Sequence, residues 1–207
     1  MNSNLRWGLL LALLPATAAA QTTPRVYVGV SGGLLFSSPF ESYHSTLGSP
    51  ALTVGVQFTP RWAVETGLQL AWQSNSFTFR SLDPNDPTFA ILNTKTTYFL
   101  VPVLARLTLT PEASSLHVDL LGGATWLHGR DKSEYANSYT GGVSIPSGTQ
   151  TSNSIAATLG PQVRYAFGTG LEAKLSLPFN ANLDSGYHSF GERVFLTPQL
   201  GVQYTFH

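Results

Sequence analysis

The chain has 207 residues, a formal net charge of zero, only 11% charged side chains and no cysteine. That length fits one domain or two. Disulfides, thiol catalysis, cysteine-ligated metals and a lipid-modified cysteine anchor are excluded, and so is a basic surface able to hold nucleic acid.

The first residues, MNSNLRWGLLLALLPATAAAQ, join a positive Arg6 to an apolar stretch, Leu9 to Leu14, and then to the small-residue run Ala18–Ala20. This pattern predicts a secretory signal peptide over 1–20 and a mature domain over 21–207. The apolar stretch is too short to cross about 30 Å of hydrocarbon. No later segment approaches twenty consecutive apolar residues, so no transmembrane helix is predicted.

Eight segments then alternate with period two, the signature of β-strands with two unlike faces. In chain order they are VYVGVSGGLLF (26–36), LTVGVQF (52–58), WAVETGLQLAW (62–72), YFLVPVLARLTL (98–109), LHVDLLGGATW (116–126), SIAATLGPQVRYAF (154–167), LEAKLSLPF (171–179) and RVFLTPQLGVQYTFH (193–207). Short connections at Thr59–Arg61, Thr110–Ser115 and Gly168–Gly170 alternate with long polar ones near 37–50, 80–95, 128–152 and 183–192. Such an alternation predicts an all-β, eight-stranded antiparallel up-and-down barrel.

Charge decides which face points outwards. One series on each strand, containing for example Val64, Leu70, Val103, Leu159 and Leu200, carries no Asp, Glu, Lys or Arg. The other holds Glu65, Arg106, Asp119, Arg164, Glu172, Lys174 and Arg193 among Gly, Ser, Thr and Gln. Eight strands leave an interior just wide enough for side chains, too narrow for the bulky series. Leu, Val, Phe and Trp at this density must therefore face out, which only lipid tolerates. Ten to twelve residues at about 3.3 Å, tilted by about 40°, climb roughly 25–30 Å, the height of a membrane-spanning barrel's apolar band. Aromatics gather at both ends of that face. Phe58, Trp62, Tyr165, Phe167, Tyr204 and Phe206 lie near the tight turns; Phe36, Trp72, Trp126 and Phe179 lie near the long loops. They are predicted to form two interfacial girdles. Pro102, Pro161, Pro178 and Pro198 fall inside strands, where proline usually marks a bulge. Bulges there would slip the side-chain parity above them and could turn Phe195 outwards.

TYFLVPVLARLTL (97–109) and Gln199-x-Gly201-x-x-Tyr204-x-Phe206 carry a family resemblance. Over residues 25–206 the chain resembles the small outer-membrane β-barrel proteins of Gram-negative bacteria, in particular the PorT-like "outer membrane protein beta-barrel domain" group. The resemblance implies a transmembrane barrel of the outer membrane. It also implies that Gln199, Gly201, Tyr204 and Phe206 form the signal read by the barrel-assembly machinery, with His207 departing from an aromatic terminus. Outer-membrane lipid and that machinery are the implied partners.

Glu65, Arg106, Asp119, Arg164 and Lys174 each sit about four residues above the tight turns. With Glu172 and His117 they are expected to form a balanced charge network plugging the lumen, because an unpaired buried charge is costly. A gated path for small solutes is the alternative. Chemistry is poorly supported. His188, Ser189 and Glu192 in GYHSFGER approach a His–Ser–acid set, yet adjacent residues on an extended chain point to opposite faces. His117 and Asp119 share a face and are expected to pair structurally, with no nucleophile nearby. His44 and His128 lie in or next to long loops without metal-ligand spacing. Gly32–Gly33 and Gly122–Gly123 are expected to mark kinks or close approaches within strands. No cofactor is expected. The protein is read as a non-enzymatic structural or surface-interaction barrel, with the four long connections as possible ligand-binding surfaces. The rival readings are a lipid-modifying hydrolase or acyltransferase at the membrane surface, and a soluble lipocalin-like barrel of the periplasm.

Overall fold

The computed structural model describes residues 23–36, 46–80, 89–137, 148–168, 170–184 and 193–206. The expected signal peptide, His44, His188, Ser189 and Glu192 lie outside the described residues. Ten strands follow in order: β1 (Arg25–Phe36), β2 (Thr46–Gln57), β3 (Trp62–Arg80), β4 (Phe89–Thr108), β5 (Leu116–Asn137), β6 (Gly148–Ala166), β7 (Leu171–Ser176), β8 (Phe179–Asn182), β9 (Val194–Leu196) and β10 (Gln199–Thr205). Every pairing is antiparallel, and β10 pairs back onto β1 to close the ring. Closure gives every strand a neighbour on both sides along part of its length, as a bilayer requires because it offers no hydrogen bonds to a free edge.

Ten strands make eight staves. Leu177–Pro178 separates β7 from β8 and Thr197–Pro198 separates β9 from β10, yet the register runs straight through both gaps. Gln162 faces Ser176 below the first gap and Leu159 faces Phe179 above it. On the other side Gly33 faces Gln199 and Phe36 faces Leu196. The bulges expected at the prolines are therefore absent from these staves. Each proline lacks a donor but keeps its acceptor: Thr197 donates to the Pro178 carbonyl at 3.1 Å, Leu34 to that of Pro198 at 3.0 Å, and Leu177 to that of Pro161 at 3.0 Å. Parity is preserved, and Phe195 points inwards, 2% exposed.

The tight turns are fixed by short polar side chains. Thr59 Oγ1 accepts from the amides of Arg61 and Trp62 at 3.3 and 3.0 Å. Gly168 and Gly170 adopt positive φ, a region open to glycine at little cost. At the other end the strands run further than the apolar alternation suggests. Residues 46–50, 89–95, 128–137 and 148–152, expected from sequence to be loop, are strand. Apart from residues 89–92 their composition is largely polar, as expected where both faces of the sheet leave the membrane, so period two disappears while the hydrogen-bond ladder continues.

Orientation follows the charge argument. Val103 and Leu200 are 56% and 65% exposed on the outer surface, while Glu65 and Arg164 are 6% and 4% exposed. Inward glycines mark where neighbouring backbones crowd together. A Cβ on Gly123 would overlap the Val103 carbonyl and one on Gly33 that of Pro198, whereas outward Gly32 faces open space and Gly122 makes only an ordinary contact.

Candidate functional site

The lumen is filled in three layers. Nearest the tight turns is a charged layer. Arg164 grips Asp119 with two nitrogens, Nε to Oδ2 at 2.6 Å and Nη2 to Oδ1 at 3.1 Å, and reaches Glu172 through Nη1 at 2.9 and 3.1 Å. Thr108 and Gln162 also donate to Asp119, at 2.7 and 3.1 Å, and Gln203 donates to Glu172. Such paired, hydrogen-bonded charges are the form in which ions persist away from water. Beside them Tyr27 donates its hydroxyl to Glu65 at 2.8 Å, and the Arg106 guanidinium lies 4.5 Å from the centre of the Tyr27 ring. Arg106 Nη1 approaches Glu65 only to 3.7 Å. Its attachment is mainly to the ring face, a cation–π contact that gains strength when desolvated. Lys174 donates to Thr53 at 3.0 Å.

Amides and hydroxyls form the middle layer. Gln199 donates to Gln69, and Gln69 donates to Ser49, at 3.0 and 2.7 Å. Thr158 donates to Asn180 at 2.8 Å, and Asn180 to Thr197 at 3.1 Å. A cavity of about 40 Å³ lies among Thr53, Glu65, Gln69, Lys174 and their neighbours, room for about three waters. Above this layer lies an apolar cluster of Leu35, Leu47, Ala71, Tyr98, Leu100, Leu127, Ala156 and Phe195, with Thr96 and the hydrogen-bonded pair Ser154 and Asn182 buried at its margin. The sequence leads one to expect an inward series that stays hydrophilic along its whole length; above the middle layer it does not.

Of the expected network, Asp119, Arg164 and Glu172 come together, Glu65 meets Arg106, and Lys174 stands between the two groups. His117 does not join. Its Nδ1 lies 3.4 Å from Thr110 Oγ1 at the tight-turn rim, while Asp119 is turned across the lumen to Arg164. The expected His117–Asp119 pair therefore does not form: the arginine offers Asp119 a bidentate partner and the rim histidine does not. Tyr27, Thr108, Gln162 and Gln203 were missed by sequence reasoning; their shared inward parity was the available signal. Among the described residues no group of histidines and carboxylates could hold a metal.

Tyr27 supplies a direct test. A Cβ built on Gly55 would overlap the Tyr27 ring, so Gly55→Ala must push the tyrosine off Glu65 and Arg106. Overpacking of this kind is expected to cost about 1–3 kcal/mol, read by urea unfolding of the bilayer-inserted protein. Gly32→Ala, which meets nothing within 4 Å, should stay within about 0.5 kcal/mol of the parent.

Outside, Phe58, Trp62, Tyr165, Phe167, Tyr204 and Phe206 are exposed at the tight-turn end, and Trp72, Trp126 and Phe179 are exposed higher up the staves. Tyr165 meets Phe167 edge-on at 5.2 Å, and Tyr204 meets Phe206 likewise at 5.1 Å. Between these levels the outer face is aliphatic. A family model described as "Outer membrane protein beta-barrel domain" matches residues 8–206. The chain belongs to that outer-membrane β-barrel family. The barrel accordingly resides in the outer membrane of a Gram-negative bacterium. No curated protein sequence matches it. Among solved structures, a major outer membrane protein from Thermus thermophilus is similar with a TM-score of 0.56 and 13% identity, covering 89% of this chain and 100% of that one. Ail, the attachment invasion locus protein of Yersinia pestis, solved in complex with the heparin analogue sucrose octasulfate, is similar with a TM-score of 0.52 and 12% identity. That match covers 88% of this chain and 97% of Ail. The soluble lipocalin-like alternative falls with the outward apolar band and the family.

Within the outer-membrane barrel, the residues expected to signal assembly lie on the closing strand. Gln199 and Gly201 face inwards and Tyr204 and Phe206 outwards. Gly201 is packed against Val30 and Ser31 of β1, so the segment expected to be recognised during insertion is also the seam that closes the ring.

Proposed function

We propose that the protein is a closed, non-conducting outer-membrane barrel whose role is structural and surface-interacting. The observation that carries this reading is the layered lumen: a paired charge layer beneath an apolar cluster. An ion passing through would have to displace Arg164 from two carboxylates and then cross a zone lined by Leu100, Leu127 and Phe195, where water itself is unfavourable. The surface role is supported by strand length. β3 to β6 have 19 to 22 residues against 12 in β1 and β2, so they lift a polar sheet beyond the membrane and offer the segments 80–95 and 128–152, with 37–50 and 183–192, to extracellular partners. A non-enzymatic role is supported by the commitments of the two histidines among the described residues: His117 meets Thr110 and His128 meets Asn153, neither arrangement supplying an oriented base beside a serine.

Planar-bilayer recording tests the closed lumen. The wild type is expected to show no sustained openings, and replacing Leu100, Leu127 and Phe195 together by serine is expected to produce them. Sustained openings of the wild-type barrel would overturn the reading in favour of a gated pore.

A further inference from the structure

Among the described strand side chains, outward-facing charge is confined to one place. On β4 the odd residues face out and on β5 the even ones, and among the described strand side chains every outward Lys, Arg, Asp or Glu belongs to the set Lys95, Arg130, Lys132 and Glu134. Lys95 and Lys132 stand directly opposite each other in the ladder, and Arg130 is the diagonal neighbour. Like charges opposed on one sheet face are destabilising, so the arrangement is at odds with a purely structural role. Lys132 is paired with Glu134. Lys95 and Arg130 make no ion pair among the described residues. Three cations thus share one carboxylate.

Height on the barrel says what they face. Phe99 and Trp126 close the apolar band on β4 and β5, and Lys95 and Arg130 lie four residues beyond them, about 10 Å along the membrane normal for tilted strands. That is the outer edge of the polar headgroup layer that covers the hydrocarbon. Beneath the cations lies an aromatic shelf: Trp126 stacks on His128 at 5.7 Å, and Phe99 sits 6.0 Å from the same ring. Beside them Ser74, Ser76 and Asn93 join Lys95, Lys132 and Glu134 around a groove of about 370 Å³, adding hydroxyl and amide groups to the charge.

We infer that Lys95, Arg130 and Lys132 form a binding site for the phosphate headgroup of an outer-leaflet lipid, the acyl chains descending past Phe99 and Trp126. The cluster takes an anion by charge. A lipid rather than free phosphate is the occupant because the site opens sideways into the bilayer, away from the lumen, and continues downwards as an apolar surface. The inference rests on the membrane-spanning barrel but not on whether the lumen conducts.

The test uses the mature protein in zwitterionic micelles, titrated with bisphosphorylated lipid A, the bound lipid being counted by native mass spectrometry. The wild type should retain the lipid, and dephosphorylated lipid A should not be retained. The triple variant K95Q/R130Q/K132Q should lose affinity on the order of 100-fold, about five-fold per charge, whereas K95R/K132R should bind as the parent does. All three positions are exposed, so the variants should insert normally, checked by heat-modifiable gel migration. Undiminished retention by a folded K95Q/R130Q/K132Q barrel would overturn the site and leave the barrel intact. Displacement of lipid A by millimolar inorganic phosphate would assign the site to the free anion and overturn the lipid. Failure of the wild type to insert at all would instead overturn the membrane reading.

Discussion

Val103→Arg should destabilise the bilayer-inserted barrel by about 2–4 kcal/mol, the cost of an arginine on the lipid face near the midplane. Val103 stands on the outer surface of β4, between Leu109 near the tight turns and Phe99 near the upper interface. Leu109→Arg, one residue beyond the end of β4 on the same outward side but at the interface, should cost about 0–1 kcal/mol. Depth, and not residue type, sets the difference. Urea unfolding in lipid vesicles measures both. A barrel wetted on its outside would tolerate both substitutions alike, so equal small effects would contradict the lipid-facing assignment.

Arg164→Ala is expected to cost about 3–5 kcal/mol, because it strands Asp119 and Glu172 in the lumen without their cation. Asp119 is 1% exposed and would keep only Thr108 and Gln162 as donors. Neutralising the group as a whole should be milder: Asp119→Asn, Arg164→Met and Glu172→Gln together should lose less than Arg164→Ala alone, since no bare charge remains. Folding equilibria of the two variants in the same lipid decide the matter. If the triple substitution proves the more damaging, the network contributes net stability rather than merely avoiding an unpaired ion.

Period-two alternation made the eight staves legible, and the charge-free series identified their outer face. Both signals come from sharp contrast between hydrocarbon on one side and a packed polar lumen on the other. Where that contrast ends, legibility ends. The upper reaches of β3 to β6, such as SNSFT (74–78) and GRDKSE (129–134), lose the contrast between their two faces and resemble loop in composition. The prolines mislead for a related reason: a missing donor suggests a bulge, although Pro178 and Pro198 still accept hydrogen bonds from Thr197 and Leu34. The lumen was legible as a set of charges but not as pairs. Asp119 could have turned to His117 two residues away; it meets Arg164 on the neighbouring strand, a partner fixed by register. The apolar upper lumen was hidden because Leu35, Leu100 and Phe195 look like any other strand leucine or phenylalanine until the unbroken parity through Pro198 is known. Lys95, Arg130 and Lys132 were obscured together with the polar strand ends that carry them.

The chain has no cysteine of its own, so single cysteines can be placed one at a time along β6 from Ile155 to Tyr165 and spin-labelled in bilayers. Collision with dissolved oxygen reports hydrocarbon, and collision with a water-soluble nickel complex reports solvent. Labels at 155, 157, 159, 161 and 163 should collide strongly with oxygen, while those at 156, 158, 160, 162 and 164 should be shielded from both reagents. A pattern in which Thr158, Gln162 and Arg164 positions meet bulk water while the Leu159 and Val163 positions are shielded would turn the barrel inside out and contradict the account.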